Sequence, residues 1–329
     1  MPAPNFSPTA PFFLTLSDVV LEGTQHRRLD GISLQLGVEK TAILGLSGAG
    51  KTSLLNVLAG FEVPTSGQIV LSPPSTESRL FRYWVPQNGG LWPHVELIGH
   101  LRSVAGGAAD SEIHKKSDEI LDAFDLRHRA NAFPDELSQG ERSRLALARA
   151  LMANPRVLLA DEPLAHVDIV RKPDFWKVVD EWVSRAGCSF VFSSHEPEVV
   201  LRHAERVIVL ETGSVIFDGP VSVLYDNPPE KRVAEFLGPV NWLGDPLRKL
   251  LGGFSDRDCG IRPERIALSE DPSGKFEVVR SFRTGFFQET SLTTARGDME
   301  FSLIHRGHSP LAAKTRVSVT IDRISTTRL

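Results

Sequence analysis

The 329-residue chain predicts a mixed α/β domain with a largely parallel sheet, followed by a small all-β, barrel-like domain. Three observations carry that prediction. Short apolar runs alternate with segments of helical periodicity over most of the chain, the pattern of parallel strands under crossover helices. A glycine-rich turn, Gly45-Leu46-Ser47-Gly48-Ala49-Gly50-Lys51-Thr52, joins one such strand to one such helix. Toward the C-terminus the apolar period falls to two (Phe301, Leu303, His305; Val317, Val319, Ile321), as in short antiparallel strands.

Taken in order, Phe12–Leu16 and Ile32–Leu36 alternate like strands, with Gln25-His26-Arg27-Arg28 in the turn between them. Thr41–Leu44 reads as a buried strand, and Ser53–Ala59 as a helix with Leu54, Leu55 and Leu58 inward. A Pro/Gly-punctuated loop, Phe61–Gly67, leads to strands Gln68–Leu71 and Phe81–Val85. Asn88-Gly89-Gly90 then breaks the pattern, which leaves Gln87 at a strand-to-loop junction. From Val95 to Leu126 the period is helical, with Ser111 the expected N-cap, and a helical insert is expected over about residues 95–150. Glu141–Leu151 is rich in strong helix formers. Arg156–Ala160 is an apolar strand ending on Asp161-Glu162-Pro163. Phe175–Arg185 reads as a helix, Ser189–Phe192 as a strand ending on Ser193-Ser194-His195, and Pro197–Arg202 as a helix. Val207–Leu210 and Ser214–Phe217 form a predicted hairpin through Thr212-Gly213. The expected domains are 12–238 and 257–329, joined by a linker over 239–256.

Composition narrows the function. Apolar residues make up 41% and charged residues 24%, ordinary values for a soluble globular protein. A net charge of −4 gives no electrostatic footprint for nucleic acid, and no nucleic-acid partner is expected. Cys188 and Cys259 stand far apart and form no metal-ligand pattern, which suits a reducing compartment. No apolar run reaches the length of a transmembrane helix. Met1–Pro11 lacks the basic and apolar regions of a signal peptide and reads as a short lead-in. A role at a membrane would need another chain to supply the span.

The glycine-rich turn fits G-x-x-x-x-G-K-[ST], a phosphate-binding loop. Backbone N–H groups and the positive end of the helix dipole converge there on an anion. Gly45, Leu46, Ser47, Gly48, Ala49, Gly50, Lys51, Thr52 and Ser53 are therefore the expected phosphate cradle. Lys51 adds a point charge for the β- and γ-phosphates, and the Thr52 hydroxyl can ligate Mg²⁺. Asp161, directly after an apolar strand, stands where a second Mg²⁺ ligand belongs. Glu162 beside it can take a proton from an attacking water. Ser138 and Gly140 at a helix start form a second anion site. The two helix starts are too far apart to share one nucleotide without a partner.

Leu137-Ser138-Gln139-Gly140-Glu141 resembles the L-S-G-G-Q signature of the ATP-binding cassette (ABC) family, with Gln139 for the first glycine and Glu141 for the glutamine. Gln87 resembles that family's Q-loop glutamine, Asp168 its D-loop aspartate, and His195 its switch histidine. Ala165-His166-Val167 departs from the usual Ser-Ala-Leu before that aspartate. The resemblance covers roughly residues 12–238. It implies a head-to-tail dimer, a homodimer or a pair with a second ABC ATPase. ATP and Mg²⁺ would be sandwiched between the phosphate loop of one chain and Ser138 and Gly140 of the other, with Asp168 at the same interface. It implies Glu162, His195, Lys51 and Gln87 as catalytic residues and Thr52, Gln87 and Asp161 as metal ligands. It further implies a separate integral-membrane permease facing Leu91-Trp92-Pro93-His94, a solute-binding protein, and a peripheral place on the cytoplasmic side of the membrane.

The family often stacks adenine on an aromatic side chain ahead of the phosphate loop. Val19–Leu29 contains no Phe, Tyr or Trp, leaving His26 or Arg27. Gly260-Ile261-Arg262-Pro263-Glu264 and the strands around it resemble the OB-like regulatory domain of importer ATPases for sulfate, molybdate, iron, polyamines and sugars. Phe236-Leu237-Gly238 and Asn241 are similar to the connecting segment of the iron and polyamine branches. The expectation is the ATPase subunit of an ABC importer. A soluble ABC ATPase outside transport and a nucleotide-sensing regulator are the alternatives.

Overall fold

The computed structural model describes residues 14–71, 80–107, 109–252, 257–307 and 309–322. Phe12 and Phe13, and the end of the expected linker, lie outside them. The chain divides into two compact units, one ending at Val221 and the other beginning at Ser222.

The first unit opens with β1 (Leu14–Leu21), β2 (Leu29–Leu36), β3 (Lys40–Leu44), α1 (Lys51–Ala59), β4 (Ser66–Leu71) and β5 (Arg82–Val85). A helical insert follows: α2 (Leu97–Arg102), α3 (Asp110–Ala123) and α4 (Gln139–Ala153). The chain then alternates through β6 (Val157–Asp161), α5 (Lys172–Ala186), β7 (Ser189–Ser193), α6 (Pro197–His203), β8 (Arg206–Glu211) and β9 (Ser214–Pro220).

Six strands form one sheet in the order β5-β6-β7-β3-β8-β9. The first five are parallel, and β9 returns antiparallel beside β8. Thr212 and Gly213 take φ of 46° and 82° in that hairpin, the double positive φ of a type I′ turn. Every residue of β6 and β7 is buried, as expected of central parallel strands covered on both faces. A second, antiparallel sheet, β2-β1-β4, turns Leu14, Leu16, Ile32 and Leu34 onto Leu54, Leu55 and Leu58 of α1 and onto Leu159, Val191 and Ile208 of the parallel sheet. Each of these fully buried side chains contributes roughly 1.5–3 kcal/mol of transfer free energy.

The parallel register places the working ends of the strands on one edge. Asp161 is opposite Ser193, Ser193 opposite Ile43, and Ala160 opposite Val85. Gly45, Gln87, Glu162 and His195 follow those strand ends, on the carboxyl edge where open α/β sheets bind ligands.

Two expectations change in the insert. The helical stretch 95–126 is two helices, interrupted where Gly106 and Gly107 take φ of 48° and 45°. Ser111 is not the N-cap of α3. Ala109 holds that position without a side-chain bond, and Ser111 sits between Asp110 and Glu112, whose charges complement the positive end of the helix dipole.

From the division onward the chain forms α7 (Val221–Asp226), which begins at the boundary residue, then α8 (Lys231–Ala234), β10 (Asn241–Leu243), α9 (Asp245–Leu250) and β11 (Cys259–Ile261). The final strands are β12 (Ile266–Glu270), β13 (Phe276–Thr284), β14 (Phe287–Thr294), β15 (Glu300–His305) and β16 (Arg316–Ile321). They pair in the order β12-β16-β13-β14-β15, antiparallel at every step. A bridge between Ala267 and Arg306, with Arg306 N–H donating to the Ile266 carbonyl at 3.0 Å, returns from the end of β15 to β12. The sheet thus curls back on itself, barrel-like, around Ile266, Phe276, Val278, Leu292, Leu303 and Val317.

The described part of the expected linker 239–256, residues 239–252, carries β10 and α9 instead. β10 pairs with β11, Leu243 is fully buried in this core, and Leu247 and Leu250 pack against it. Residues 222–238 also go with this unit. The reason is Arg262. It is 2% exposed. Its guanidinium donates to the carbonyls of Tyr225 and Gly238 at 3.0 Å each and of Pro239 and Ala234 at 3.2 Å each, and it lies 4.2 Å from the centre of the Tyr225 ring. Asn241 completes the join: its amide bonds the Ile304 N–H and C=O at 2.7 Å each.

Candidate functional site

The phosphate-binding motif forms the turn from β3 into α1. Gly45 and Gly50 have φ of 154° and 105°, and both are pinched. A Cβ on Gly45 would lie 2.6 Å from the Leu210 carbonyl oxygen, and one on Gly50 would lie 2.6 Å from that of Arg28. Only glycine fits either place. Leu46, Ser47 and Gly48 form the exposed lip, Ala49 is buried beneath it, and Ser53 sits half-buried in the first turn of α1. The Lys51 ammonium is drawn back over the loop and donates to the carbonyls of Gly45 (2.8 Å) and Leu46 (3.2 Å).

Thr52 ties this loop to the end of β6. Its hydroxyl donates to Asp161 Oδ2 at 2.6 Å. The other oxygen of Asp161 accepts from the hydroxyl of Ser193, at the end of β7. That same Ser193 oxygen accepts the Glu162 N–H at 3.0 Å. Glu162 has φ of 48°, a left-handed conformation that costs a non-glycine residue about 1–3 kcal/mol and persists only where its surroundings hold it. The Glu162 carboxylate lies 3.2 Å from His195 Nδ1, with 18% of the Glu162 side chain exposed against 63% for His195.

Lys51, Thr52, Asp161, Glu162 and His195 are therefore brought to one place by three strand ends, those of β3, β6 and β7. Ser193, which stands between Asp161 and Glu162, was not singled out from the sequence. Its only signal was polarity at the end of an apolar strand. Gln87 is exposed on the same edge, two residues beyond β5.

Ser138 and Gly140 stand apart from that group, at the start of α4. Ser138 is its N-cap: Oγ accepts the Glu141 N–H at 3.2 Å, and Glu141 Oε2 accepts the Ser138 N–H at 2.8 Å. This reciprocal capping box gives a physical reason for glutamate at 141. Burial alone would raise the Glu141 pKa, but the bonds from Ser138 and from Arg129 at 3.2 Å outweigh it and hold the carboxyl below its ordinary value. A Cβ on Gly140 would lie 3.0 Å from the His166 carbonyl, so this helix start rests on the backbone just ahead of Asp168. Asp168 is exposed, and its Oδ1 accepts the Val170 N–H at 2.8 Å within its own turn.

The donor set suits Mg²⁺. Thr52 and Asp161 present hard oxygens already within hydrogen-bond reach of each other. Among the described residues there is no group of three or more His, Cys, Asp or Glu that could cage a metal. Two protein oxygens, with water and phosphate supplying the rest, are the coordination Mg²⁺ prefers. For adenine, Arg27 is committed to Glu22 (3.1 Å) and Asp30 (2.6 Å), while His26 is exposed at the turn.

Trp92 packs on the insert. Its ring stacks on His100 of α2 at 5.2 Å between centroids and lies 4.8 Å from the Arg149 guanidinium of α4. Arg149 also donates to the carbonyls of Gly89 and Gly90 at 3.0 Å each. Burial lowers the His100 pKa, so the ring is neutral near pH 7. It accepts the Trp92 N–H at Nε2 (2.9 Å), leaving Nδ1 to donate to the Glu96 carbonyl (3.0 Å). Trp92 nonetheless keeps 38% of its surface exposed.

Comparison with known proteins agrees with this geometry. The ABC transporter family model matches residues 29–165, from β2 through the phosphate loop and Ser138 to just past Glu162. The glucose import ATP-binding protein of Saccharolobus solfataricus is 33% identical over 80% of this chain and 83% of its own length. This chain belongs to the ABC transporter ATPase family. The spermidine/putrescine import ATP-binding protein of Nitrosomonas europaea is 32% identical over 79% of this chain and 73% of its own length. A solved dimeric ATP-binding cassette in a post-hydrolysis state, bound to ADP and Pi, superposes with a TM-score of 0.57 at 25% identity, covering 63% of this chain and 98% of that one. The chain is thus an ATP-hydrolysing cassette with a C-terminal unit built on a five-stranded antiparallel sheet.

Proposed function

We propose that this chain is the ATP-hydrolysing subunit of an importer, working as a head-to-tail dimer that drives a separate permease. The observation that carries the chemistry is the convergence of Thr52, Asp161, Glu162 and His195 around the phosphate loop. The import reading is supported by relatives named for the import of glucose, spermidine/putrescine, sulfate/thiosulfate and Fe(3+) ions. None of these names supports a role outside transport, and their diversity selects no solute. Dimerisation is supported by the solved dimeric cassette, and a permease by the similar cassette of Clostridium perfringens, which is part of the ABC transporter complex cbiONQ.

In this reading Gly45–Ser53 cradle the β- and γ-phosphates through backbone N–H groups, and Lys51 exchanges loop carbonyls for phosphate oxygens. Thr52 and Asp161, with Gln87, would hold Mg²⁺, which when bound neutralises charge on those oxygens. Glu162 takes a proton from water as the water oxygen bonds to the γ-phosphorus and the bond to ADP breaks. His195 faces the departing γ-phosphate and keeps the Glu162 carboxylate oriented. Ser138, Gly140 and Asp168 complete the site of the partner chain. The protein sits peripherally on the cytoplasmic face, next to a permease fed by a solute-binding protein. Among the described residues, no helix is long and apolar enough to cross a membrane.

The test is co-purification with the permease encoded nearest to it, followed by transport in vesicles loaded with ATP. Solute uptake that stops in Lys51→Ala supports the reading. Robust ATPase activity with no membrane partner and no uptake would overturn the transport part of it.

A further inference from the structure

The turn carrying His195 is fastened to the helix that follows Asp168, by a contact that the proposed chemistry does not use. Lys172 is the first residue of α5. Its ammonium donates to both carboxylate oxygens of Glu196, at 2.7 and 2.9 Å. The Lys172 side chain is only 10% exposed and that of Glu196 31%. This is not a solvated surface pair of the kind that contributes little. A lysine withdrawn from water this far depends on its carboxylate, and two-point contact fixes that carboxylate in space.

Both ends of the pair lead to the site. The Lys172 N–H donates to the Asp168 carbonyl at 2.9 Å. The Glu196 N–H donates to Ser194 Oγ at 3.0 Å, which closes a tight turn around His195. His195 needs such support, because its side chain is 63% exposed and its ion-pair contact is with Glu162. After Asp168, Ile169 and Val170 are 79% and 81% exposed, so the stretch between Asp168 and α5 has little packing of its own. A displacement of the loop reaches Lys172 through one backbone bond, Glu196 through the ion pair, and His195 through one peptide.

We propose that Lys172 and Glu196 are positioning residues for ATP hydrolysis, linking the loop of Asp168 to the orientation of His195. The proposal rests on the role given to His195 above. Its test uses the full-length chain and single-turnover ATP hydrolysis. Lys172→Met and Glu196→Gln should each lower the rate by about tenfold, the scale of a misplaced group, with ATP affinity within about twofold. Lys172→Arg should keep most of the rate. In a His195→Ala background, Lys172→Met should cause no further loss, because its effect passes through the missing ring. A purely structural pair would lower the rate by the same factor with or without His195, and that outcome overturns the proposal. Normal turnover in both single variants overturns it equally while leaving His195 in place. Normal turnover in His195→Ala alone would instead remove the reading of His195, and the proposal with it. If Lys172→Met fails to fold, Glu196→Gln in the two backgrounds carries the same comparison.

Discussion

Glu162 holds a left-handed backbone angle at the junction of β6 and the loop that follows, and the Ser193 hydroxyl fixes it there. If it is the base, Glu162→Gln should lower turnover by a factor on the order of 10²–10⁴ while ATP still binds. Steady-state rates beside equilibrium binding of a fluorescent ATP analogue check this, and near-wild-type turnover would remove Glu162 from the mechanism. Ser193→Ala should strip a partner from both Asp161 and the Glu162 N–H and destabilise the fold by about 1–3 kcal/mol, read from denaturant unfolding. Lys51, Thr52, Asp161 and Glu162 were legible in the sequence because a spacing rule or a strand end marks each. Ser193 was not, since its role exists only once β7 lies beside β6 with Asp161 opposite Ser193. His100 was equally silent. Burial depresses its pKa, so the unfolded chain binds its proton more readily. Its contribution is therefore full above the unfolded value, about 6.5, and is lost as pH falls from there through the folded value. Wild type should lose more stability than His100→Gln between pH 7.5 and 5.5, and parallel thermal-unfolding curves for the two would refute it.

At the scale of elements, the start of α4 has two separable duties. As an N-cap, Ser138 stabilises the helix by about 1 kcal/mol, and Ser138→Ala should show that loss in thermal unfolding. As an anion site for a second chain, it should act in trans. Mixing Lys51→Ala protein with Ser138→Arg protein allows one dimer in which both lesions fall on the same composite site. ATPase activity should partly return once subunit exchange is verified, and none returning would refute composite sites that work singly. The loop ahead of α2 is the other element with two faces. Trp92 is stacked on His100 yet over a third exposed. Trp92→Ala should weaken association with the permease by roughly 2 kcal/mol, the weight of an aromatic anchor. It should also lower thermal stability modestly, through the lost stacking. Unchanged association would send the search for the contact surface elsewhere on the insert. Strands such as β6 and β7 were legible as apolar runs closed by acids or serines. The break between α2 and α3 was harder to see, because alanine and glycine around Gly106 interrupt the helical period without a proline to mark it.

For the whole molecule, the class was legible and the order of parts was not. Alternating apolar segments announce a parallel sheet, but the order β5-β6-β7-β3-β8-β9 depends on long-range pairing that no local pattern encodes. The same limit hid where the second unit begins. Gly and Pro around residues 238–245 imitate a linker, while the residue that decides the matter, Arg262, lies downstream and acts through backbone carbonyls that any sequence would offer. This has a practical consequence for anyone dividing the gene. A C-terminal fragment begun at residue 239 would keep Arg262 but lose the carbonyls of Tyr225, Ala234 and Gly238, leaving a desolvated cation with most of its acceptors cut away. Begun at Ser222, the fragment carries its own ligands for that guanidinium, together with the Tyr225 hydroxyl that donates to Glu264 at 2.7 Å. The longer piece should express as a soluble domain with dispersed amide resonances, and the shorter one should precipitate or stay molten.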